Sequence, residues 1–444
     1  MINKQKLNSL GLGIPSILLP NNTQAAEVWD LKKWPVIACD QFTQDRDYWE
    51  RVKAAASGSP STINMIFPEV FLSDDDAAER ITDIHSTMKN YLNEGIFAAP
   101  LCGFMYIERD TPYQKKRRGL VAVIDLEQYD WHPDTRPLIR CTEGTVAERL
   151  PPRMDIRRGA PLELPHVLLL IDDDTESLLP ALGEKVKSSA PVYSTPLMMD
   201  SGKLTGWFIE NENDINFIID KLDELCRRSA SRYEGNNPFL FAVGDGNHSL
   251  AAAKGIWDEY KKMNKAEMNH PCRYALVEIE NIYDPAIQFE PIHRLVFDIN
   301  FDEIINLLSQ LLDFSCSSVN SLDELIKLSA EPNAGNRFGI ISGGRYALIE
   351  TSAAGISTAC LQPLLDIYAG NNPRLIDYIH DTDELFRLAG SAGARSAAGI
   401  LLPPVQKSGL FETVGRLGPL PRKSFSMGHS CEKRFYMECR ELLQ

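Results

Sequence analysis

Residues Phe241–Lys254 have the sequence FAVGDGNHSLAAAK, and this stretch decides the fold around it. The apolar run that ends at Val243 predicts a buried strand, and the alanine-rich run from Leu250 predicts a helix. Gly244 and Gly246 lie between the two elements, where they let a ligand approach the backbone closely. A helix start exposes unpaired N–H groups and a partial positive charge, which attract anions. The stretch therefore predicts an anion site at a strand-to-helix turn.

The polar residues of this turn have more than one possible role. His248 is placed to donate to a phosphate oxygen, and Asp245 is placed to hold Mg²⁺ or accept a substrate proton. The alternative is an ordinary strand-to-helix turn in which Asp245 or Asn247 caps the helix. The pattern G-x-G-x-x-S is also close to a dinucleotide fingerprint, which needs an acidic residue about 20 positions later. The next strand ends at Glu278 or Glu280, too far along the chain, and this disfavours a dinucleotide fold.

Length, composition and charge limit the class of protein. The chain has 444 residues, of which 44% are hydrophobic and 24% are charged, and these are ordinary globular proportions. The length suggests two or three domains. There are 46 Lys and Arg against 61 Asp and Glu, a formal net charge of -15, and the sequence pI is about 5.1. A polyanion such as nucleic acid is repelled by this average field, so nucleic-acid binding is not expected.

Cysteine usage and hydropathy predict a soluble, cytoplasmic protein. The nine cysteines include no C-x-x-C pair, and we expect free thiols in a reducing compartment. The apolar residues near the N-terminus are interrupted by Gly11, Gly13 and Pro15, and no later run reaches 18 uncharged apolar residues. We therefore expect neither a leader peptide nor a membrane span. The sequence leaves the oligomeric state open.

Helices and strands alternate along the chain without a detectable internal repeat. The composition changes near residue 300, which predicts one part over residues 1–300, with the GDGNHS turn, and a second part over residues 301–444. The alternative is a single composite domain. The run Lys115–Arg118 lies between two predicted strands, where we expect a solvated hairpin turn. The sequence contains no H-E-x-x-H or G-x-S-x-G pattern, so zinc-enzyme and hydrolase functions lack support.

Several residues outside the turn are candidates for a site, each with a structural alternative. Asp40 follows a predicted strand, where acidic residues often face a ligand cleft. Glu143 lies in a turn rich in glycine and threonine, where it is a candidate base or metal ligand or simply a surface carboxylate. His293–Arg294 either binds phosphate or begins a strand. Lys423 and Ser424 form a basic, hydroxylic pair near the C-terminus, and Arg422, Lys433 and Arg434 near them are site residues or solvated charges.

These segments together resemble a known family. The stretch VGDGNHSLAAAK resembles the DGHHR-type signature of domain-of-unknown-function family 1015, a bacterial and archaeal family related to the ParB/sulfiredoxin superfamily, which includes the free serine kinases. Further segments that resemble the family extend over nearly the whole chain, in order: Trp34–Asp40 (WPVIACD), Cys141–Thr145 (CTEGT) with Arg149 and Arg153, Glu290–Arg294 (EPIHR) and Pro421–Phe425 (PRKSF).

The resemblance implies an α+β fold and a nucleotide site. The expected fold is a ParB/sulfiredoxin-like mixed sheet core with added helices and a smaller α/β C-terminal part. The expected ligands are ATP or ADP with Mg²⁺ and a small-molecule substrate. The resemblance also implies phosphate contact by Gly246, Asn247, His248 and Ser249, with Asp245 near the reacting hydroxyl or the metal. Together with the candidates above, the predicted catalytic residues are Asp245, Glu143 and Asp40, and Asp245 is also a possible Mg²⁺ ligand. The predicted phosphate- or nucleotide-binding residues are Gly244, Gly246, Asn247, His248, Ser249, His293, Arg294, Arg153, Lys423 and Ser424.

One departure from the family pattern bears on the activity. The usual motif ends in arginine, whereas position 249 is Ser, which carries no charge. Arg294, Arg153 or Lys423 is a candidate to replace that charge in space. The leading hypothesis is a phosphotransferase, a kinase of a small hydroxylated metabolite such as an amino acid. The alternatives are a non-catalytic nucleotide-binding regulator of the ParB type, and an interaction protein that has kept the fold without catalysis.

Overall fold

The apolar runs of the sequence pair into two main sheets, one in each compact unit of the chain. The structure is a computed structural model. It describes residues 1–21, 29–43, 45–114, 116–232, 237–264, 268–310, 312–331, 336–353, 356–380, 382–390 and 396–442. The first unit consists of residues 1–287 and 428–444, and the second of residues 288–427.

The helices and strands occupy the following ranges. The helices are α1 Lys4–Ser9, α2 Arg46–Ala56, α3 Ala77–Asn93, α4 Leu150–Arg157, α5 Leu179–Val186, α6 Glu212–Arg232, α7 Asn247–Asn264, α8 Phe301–Leu308, α9 Leu322–Ala330, α10 Ser357–Ala369, α11 Thr382–Gly390 and α12 Lys407–Leu417. The strands are β1 Leu12–Gly13, β2 Ser16–Ile17, β3 Val36–Ile37, β4 Leu101–Cys102, β5 Phe104–Asp110, β6 Arg117–Asp125, β7 Tyr129–Asp130, β8 Ile139–Cys141, β9 Leu162–Glu163, β10 Leu168–Ile171, β11 Tyr193–Pro196, β12 Lys203–Ile209, β13 Phe241–Asp245, β14 Tyr274–Asn281, β15 Phe289–Pro291, β16 His293–Phe297, β17 Phe314–Val319, β18 Asn336–Ser342, β19 Arg345–Thr351, β20 Ile376–Ile379, β21 Ala397–Leu401, β22 Phe425–Met427, β23 Phe435–Tyr436 and β24 Arg440–Glu441.

The first unit is built on a mixed sheet with apolar packing on both faces. Its strand order is β11-β12-β5-β6-β14-β10-β13-β8-β7, with β1 paired to β6. Successive side chains of a strand point to opposite faces, and β6 shows the consequence. Leu120 and Ala122 belong to one apolar cluster, and Val121 and Val123 belong to the other. A sheet covered on both faces explains why the central strands are continuous apolar runs, and the expected α+β class is confirmed.

The strand of the predicted turn lies inside this sheet. β13 pairs in parallel with β8 and antiparallel with β10, and β10 is parallel to β14. Two short antiparallel pairs, β3 with β23 and β9 with β24, join residues from the C-terminal end of the chain to earlier segments of the same unit. β23 and β24 therefore belong to the first unit, although they lie near the C-terminal end of the chain.

The second unit contains an antiparallel sheet of order β17-β19-β18-β21-β16-β20, together with the β15–β22 pair and helices α8–α12. Its core includes Phe338, Ile340 and Ile400 from the strands and Leu361 and Leu365 from α10. The expected α/β character of this part differs from the structure, because the pairings within this sheet are antiparallel.

The division of the chain also differs from the predicted single boundary at residue 300. The second unit begins at Gln288, before the composition changes, and residues 428–444 return to the first unit. The ParB/sulfiredoxin-like topology of the core stays a prediction. Among the helices of the described ranges, none combines the length and the hydropathy that crossing a membrane requires.

Candidate functional site

The predicted strand-to-helix turn is present, and Gly246 forms it. β13 ends at Asp245, α7 begins at Asn247, and Gly246 between them has a φ of +81°. This left-handed conformation favours glycine. A Cβ at Gly246 would lie 3.1 Å from both Cα and Cγ2 of Val167 and 3.5 Å from Cδ2 of His166. Glycine is therefore required both by the turn and by the close approach of the neighbouring chain.

Two neighbouring strands bring further polar residues to the end of β13. β8 is parallel to β13, with Cys141 opposite Val243, so both strands leave the sheet at the same edge. β10 is antiparallel to β13, with Leu168 opposite Asp245, so the residues that precede Leu168 lie at this edge as well. The segments after Cys141 and before Leu168 therefore border the turn.

The loop that carries the predicted residue Glu143 lies against the turn. The hydroxyl of Thr142 donates to the carbonyl of Val243 at 2.5 Å, and the N–H of Val146 donates to Nε2 of His248 at 3.3 Å. Because Nε2 accepts this bond, the neutral ring carries its proton on Nδ1. Glu143 is half-buried and lies between these two contacts in the chain. Its role as a base or metal ligand stays a prediction.

The carboxylate of Asp245 is held at both oxygens. Its Oδ1 accepts from the N–H of Gly246 at 2.9 Å, and its Oδ2 lies 3.1 Å from Nζ of Lys433. The side chain of Lys433 is 8% exposed, which contradicts the alternative that this lysine is a solvated charge. A carboxylate that is bonded at both oxygens must give up one of these contacts before it binds a metal ion or a substrate hydroxyl. The catalytic and metal-binding roles predicted for Asp245 must therefore compete with this ion pair.

A second cluster surrounds Asp40, three residues after β3. Nε2 of His166 lies 3.9 Å from Oδ2 of Asp40, and Oδ1 accepts from Nε2 of Gln41 at 2.9 Å. The hydroxyl of Tyr436 accepts from the N–H of Cys39 at 3.0 Å and lies 2.9 Å from Nδ1 of His166. When this hydroxyl donates to Nδ1, the proton of the neutral imidazole lies on Nε2, toward Asp40. His166 also borders Gly246, so the Asp40 cluster and the turn are adjacent.

The predicted residue Arg153 contacts a carboxylate that the sequence analysis did not single out. Its guanidinium lies 2.5 Å from Oε1 of Glu69, and each side chain is less than one-fifth exposed. The N–H of Glu69 donates to the carbonyl of Cys39 at 2.8 Å, so Glu69 lies beside the Asp40 cluster. Burial and the nearby negative charge of Asp40 raise the pKa of Glu69 by more than the Arg153 guanidinium lowers it. The site thus contains a carboxyl group that binds a proton more readily than an ordinary glutamate does.

The structure therefore adds three side chains to the predicted site, Glu69, His166 and Tyr436, and of the two alternatives for Lys433 it favours the site residue. His166 had a local signal, because it is a polar residue directly before the apolar strand β10. Glu69 lies in a short 3-10 helix, Glu69–Phe71, with no motif around it. Lys433 and Tyr436 reach the site through the strand β23, whose pairing with β3 cannot be predicted from local sequence.

The other four predicted phosphate-binding residues lie in the second unit. His293 is buried, its Nδ1 accepts from the N–H of Leu402 at 3.1 Å, and its Nε2 lies 3.1 Å from the hydroxyl of Thr382. The Arg294 guanidinium is also buried, where its Nε donates to Oε1 of Gln362 at 3.0 Å. These contacts favour structural roles for both residues within the second unit.

Lys423 and Ser424 differ from each other in exposure. Lys423 is exposed and has a φ of +59°, whereas Ser424 is buried and its hydroxyl donates to the carbonyl of Pro421 at 2.6 Å. The phosphate-binding roles predicted for Lys423 and Ser424 stay predictions.

The described ranges contain no group of three or more His, Cys, Asp or Glu side chains placed to hold a metal ion. Asp40 and Asp245 each accept a hydrogen bond, and the buried Oδ1 of Asn247 has no hydrogen-bond partner within those ranges. Mg²⁺ commonly binds one or two carboxylates together with substrate phosphates. The residues present therefore fit an ion that arrives with a nucleotide better than an ion held by protein alone.

Buried charges lie in the sheet of the first unit, in a region predicted to be solvated. Arg117 begins β6, and its side chain is 6% exposed and lies 2.8 Å from Oε1 of Glu280 on β14. The solvated turn predicted for Lys115–Arg118 is therefore wrong for Arg117, because the ladder of β5 and β6 extends to Arg109 and Arg117. Lys115 lies outside the described residues.

We expect Glu280 to make the stability depend on pH. Burial and the neighbouring Glu278 raise the pKa of Glu280 to about 8, although Arg117 opposes the shift. Between its ordinary pKa and about 8, the folded state binds more protons than the unfolded state. Stability therefore falls as pH rises through this window, by at most about 1.4 kcal/mol per pH unit for one group. Urea unfolding of the wild type and of Glu280→Gln at several pH values measures this. Equal pH slopes for the two proteins would contradict the prediction.

Removing the hydroxyl of Tyr436 is expected to loosen the Asp40 cluster. Tyr436→Phe leaves the N–H of Cys39 without its acceptor and Nδ1 of His166 without its partner, which should lower the free energy of unfolding by about 1–2 kcal/mol. The control is Tyr113→Phe, at a tyrosine that is 60% exposed, where we expect little change. Chemical denaturation measures both variants, and an unaltered Tyr436→Phe protein would show that these bonds do not stabilise the fold.

Comparison with solved structures finds relatives of very low sequence identity. A conserved hypothetical protein from Pyrococcus furiosus is 11% identical, with a TM-score of 0.34, over 73% of this chain and 95% of that one. A free serine kinase in complex with AMP is 12% identical, with a TM-score of 0.37, over 71% and 90%. SbnI with a C-terminal truncation from Staphylococcus aureus is 8% identical, with a TM-score of 0.34, over 73% and 83%.

Sequence comparison identifies the family. A search of curated proteins returned no match. A family described as "Protein of unknown function (DUF1015)" matches residues 23–368, which is more than half of the chain. The match includes Asp40, the Glu143 loop, Arg153 and the whole strand-to-helix turn at Gly246. The chain is therefore a member of the DUF1015 family.

Proposed function

We propose that this protein binds a nucleotide and transfers a phosphoryl group to the hydroxyl of a small metabolite such as an amino acid. The observation that carries the proposal is the turn at Gly246. There a strand passes through a left-handed glycine into the 18-residue helix α7, at a sheet edge that also carries the acidic and basic side chains described above. Such a turn is a common way to bind phosphate.

The phosphates would lie at the first turn of α7. The backbone N–H groups of Asn247, His248 and Ser249 belong to this turn, and helix starts favour negative charge. A charge-assisted hydrogen bond contributes about 1.5–3 kcal/mol. Three or four such bonds contribute about 5–12 kcal/mol, so contacts with the rest of the nucleotide must offset the losses of association for micromolar affinity, which corresponds to about -8 kcal/mol.

Asp40 is the best candidate to accept the proton of the substrate hydroxyl. It is less than one-quarter exposed, and its Oδ2 lies 3.9 Å from Nε2 of His166, whereas Oδ2 of Asp245 lies 3.1 Å from the ammonium group of Lys433. The orientation of His166 is set in turn by Tyr436. Proton transfer to a positioned carboxylate is a common part of phosphoryl transfer. Glu143, in the loop beside His248, is the second candidate.

Arg153 and Lys433 supply positive charge, which position 249 lacks. Each is ion-paired with a carboxylate, Arg153 with Glu69 and Lys433 with Asp245. The oxygens of a phosphate can replace these carboxylates as the hydrogen-bond acceptors of Arg153 and Lys433. Asp40, Glu143 or Asp245 would hold a Mg²⁺ ion, which would offset the negative charge of the phosphates.

Calorimetric titration with ATP, ADP and AMP, each with and without Mg²⁺, tests the binding. We expect micromolar affinity for at least one nucleotide and at least tenfold weaker binding by His248→Ala, which removes the acceptor of the Val146 N–H and disturbs the turn. The control is Asp83→Asn on the exposed face of α3. Absence of binding by the wild type under every condition would overturn the proposal.

Transfer from radiolabelled ATP or ADP to a pool of hydroxylated amino acids tests the activity. Asp40→Asn is expected to keep nucleotide affinity within a few-fold and to lower the transfer rate at least a hundredfold, in line with the loss of a general base. Nucleotide binding without transfer to any acceptor would instead support a non-catalytic regulator of the ParB type.

A further inference from the structure

A buried arginine of the first unit holds the main chain of one short segment near the C-terminal end. Arg109 lies on β5 and is 2% exposed. Its guanidinium donates to the carbonyl of Cys431 at 2.7 Å, to that of Glu432 at 3.1 Å and to that of Lys433. Three successive carbonyls of residues 431–433 are therefore bonded to one side chain, which fixes the path of this segment.

The position of Arg109 is otherwise unfavourable for a cation. Arg109 lies directly opposite Arg117 on the neighbouring strand β6, and like charges in opposite positions of two strands repel each other. Arg117 pairs with Glu280, whereas the hydrogen-bond acceptors that the described residues offer to Arg109 are main-chain carbonyls. Burial and the charge of Arg117 lower the pKa of Arg109 to about 9. The bonds to residues 431–433 are therefore the main contacts that stabilise the Arg109 guanidinium.

The segment held in this way carries the lysine of the candidate site. The side chain of Lys433 is 8% exposed, and its Nζ lies 3.1 Å from Oδ2 of Asp245. Arg117 also donates to the carbonyl of Glu432 at 2.7 Å, and on the other side of Lys433 the buried ion pairs of Arg434 fix the chain. A long side chain that is buried has lost its rotamer freedom during folding. The ammonium group is therefore in place before any ligand binds.

The ion pair of Lys433 shows where an anionic oxygen fits at the turn. The carboxylate of Asp245 accepts from the N–H of Gly246 with one oxygen and lies against the Lys433 ammonium with the other. Both donors thus meet one anionic group beside the start of α7. A phosphate also carries several anionic oxygens, one of which can replace Oδ2 of Asp245 while the helix start binds another. Lys433 then supplies the positive charge that Ser249 lacks.

We propose that Arg109 is a positioning residue of the nucleotide site, which fixes the main chain of residues 431–433 and so holds the Lys433 ammonium where a phosphate oxygen binds. This inference rests on the proposed function, because it requires a phosphate at the start of α7. Arg109 is buried and acts through Lys433. A donor that is already ordered binds more tightly than a mobile one, because its ordering does not oppose binding. Without Arg109 the lysine is present but mobile, and nucleotide affinity falls.

A double-mutant cycle on nucleotide affinity tests whether Arg109 acts through Lys433. Calorimetry measures the full chain with whichever of ATP, ADP and AMP the wild type binds most tightly. Lys433→Met removes the ammonium and should weaken binding about tenfold or more, as expected for a lost charge-assisted hydrogen bond. Arg109→Met should weaken binding several-fold in the wild type and have little further effect in Lys433→Met, because coupled residues are not additive. An Arg109→Met effect of the same size in both backgrounds indicates a structural role and overturns the proposal.

Conservative variants and a control complete the cycle. Lys433→Arg keeps the positive charge and should restore most of the affinity that Lys433→Met loses. Arg109→Lys replaces Arg109→Met if the latter does not fold, because it keeps the charge but lacks the planar set of donors that bonds three carbonyls. Lys187→Met is the control, since it removes a lysine that is one-third exposed and pairs with Glu108 in another part of the first unit. We expect this control to bind nucleotide as the wild type does.

The outcomes separate this inference from the proposed function. If the wild type binds none of the three nucleotides, both are wrong. If the wild type binds nucleotide and Lys433→Met binds it equally well, the proposed function stands and the positioning role is wrong. If Lys433→Met binds weakly but a folded Arg109 variant binds as the wild type does, the lysine holds the phosphate without Arg109, and the proposal is again overturned.

Discussion

Replacing Arg434 by methionine is expected to lower the free energy of unfolding by about 3–5 kcal/mol. The Arg434 side chain is 1% exposed, pairs with Glu278, lies 2.6 Å from Oε2 of Glu438 and donates to the carbonyl of Pro165 at 3.1 Å. The carboxylates are themselves almost fully buried, at 3% and 0% exposure. Removing the guanidinium leaves two buried negative charges without their cation, which is far more unfavourable than losing a surface ion pair.

Two further variants show which part of this effect comes from charge. Arg387→Met breaks an exposed pair with Glu384, where both side chains are more than two-fifths exposed, and should leave stability almost unchanged. Combining Arg434→Met with Glu278→Gln and Glu438→Gln removes the stranded charges, so this triple variant should recover part of the loss. Guanidinium chloride unfolding measures all three. A loss in Arg434→Met as small as that in Arg387→Met would contradict the role assigned to the buried pair.

The same arginine connects stability to the candidate site. Arg434 lies directly after Lys433, which pairs with Asp245, and two residues before Tyr436, which contacts His166. The C-terminal segment is therefore fixed in the first unit by buried ion pairs while it supplies two polar side chains to the edge of the sheet. An Arg434 variant that remains folded should for this reason also bind nucleotide more weakly, if the proposed function holds.

The local parts of this site were predictable from sequence, and the parts that depend on distant contacts were not. The strand, the glycine turn and the helix around Gly246 follow from a continuous apolar run, a residue suited to positive φ and an alanine-rich segment. Asp40 was predicted from its position after a strand. By contrast, the Tyr436 hydroxyl bonds to a residue 397 positions away, and no periodicity or composition in a single sequence encodes that pairing.

Charge runs gave the clearest misleading signal. The four basic residues Lys115–Arg118 have the composition of a solvated turn, but Arg117 is already part of β6 and is buried against Glu280. A buried arginine needs partners for its donors and its charge, and β14 supplies Glu280 to Arg117 from more than 150 residues later in the chain. In the same way, the change of composition near residue 300 could not show that the last 17 residues return to the first unit.

Replacing Gly246 by valine is expected to have the largest effect on the candidate site itself. The positive φ of +81° is unfavourable for a residue with a Cβ by about 1–2 kcal/mol, and more for a β-branched one. The new Cβ would also lie 3.1 Å from two atoms of Val167, the residue before β10, so Val167 or the start of α7 must move. This overpacking should lower the free energy of unfolding by a further amount of about 1–3 kcal/mol. The sum, about 2–5 kcal/mol, approaches the marginal stability of many domains.

The chain provides a matched control that separates these two effects. Gly58 has a φ of +73°, and an added Cβ there meets no atom within 4 Å. Gly58→Val therefore includes the backbone penalty without the clash, and its loss of stability should be smaller than that of Gly246→Val by the contribution of packing. Equal losses in the two variants would show that the approach of Val167 does not matter. A Gly246→Val protein that folds should also bind nucleotide at least tenfold more weakly than Gly58→Val, because the shift moves the N–H groups proposed to hold the phosphates. If the two variants bind nucleotide equally well, the phosphates are held elsewhere and the proposed role of the turn is wrong, whatever the variants do to stability.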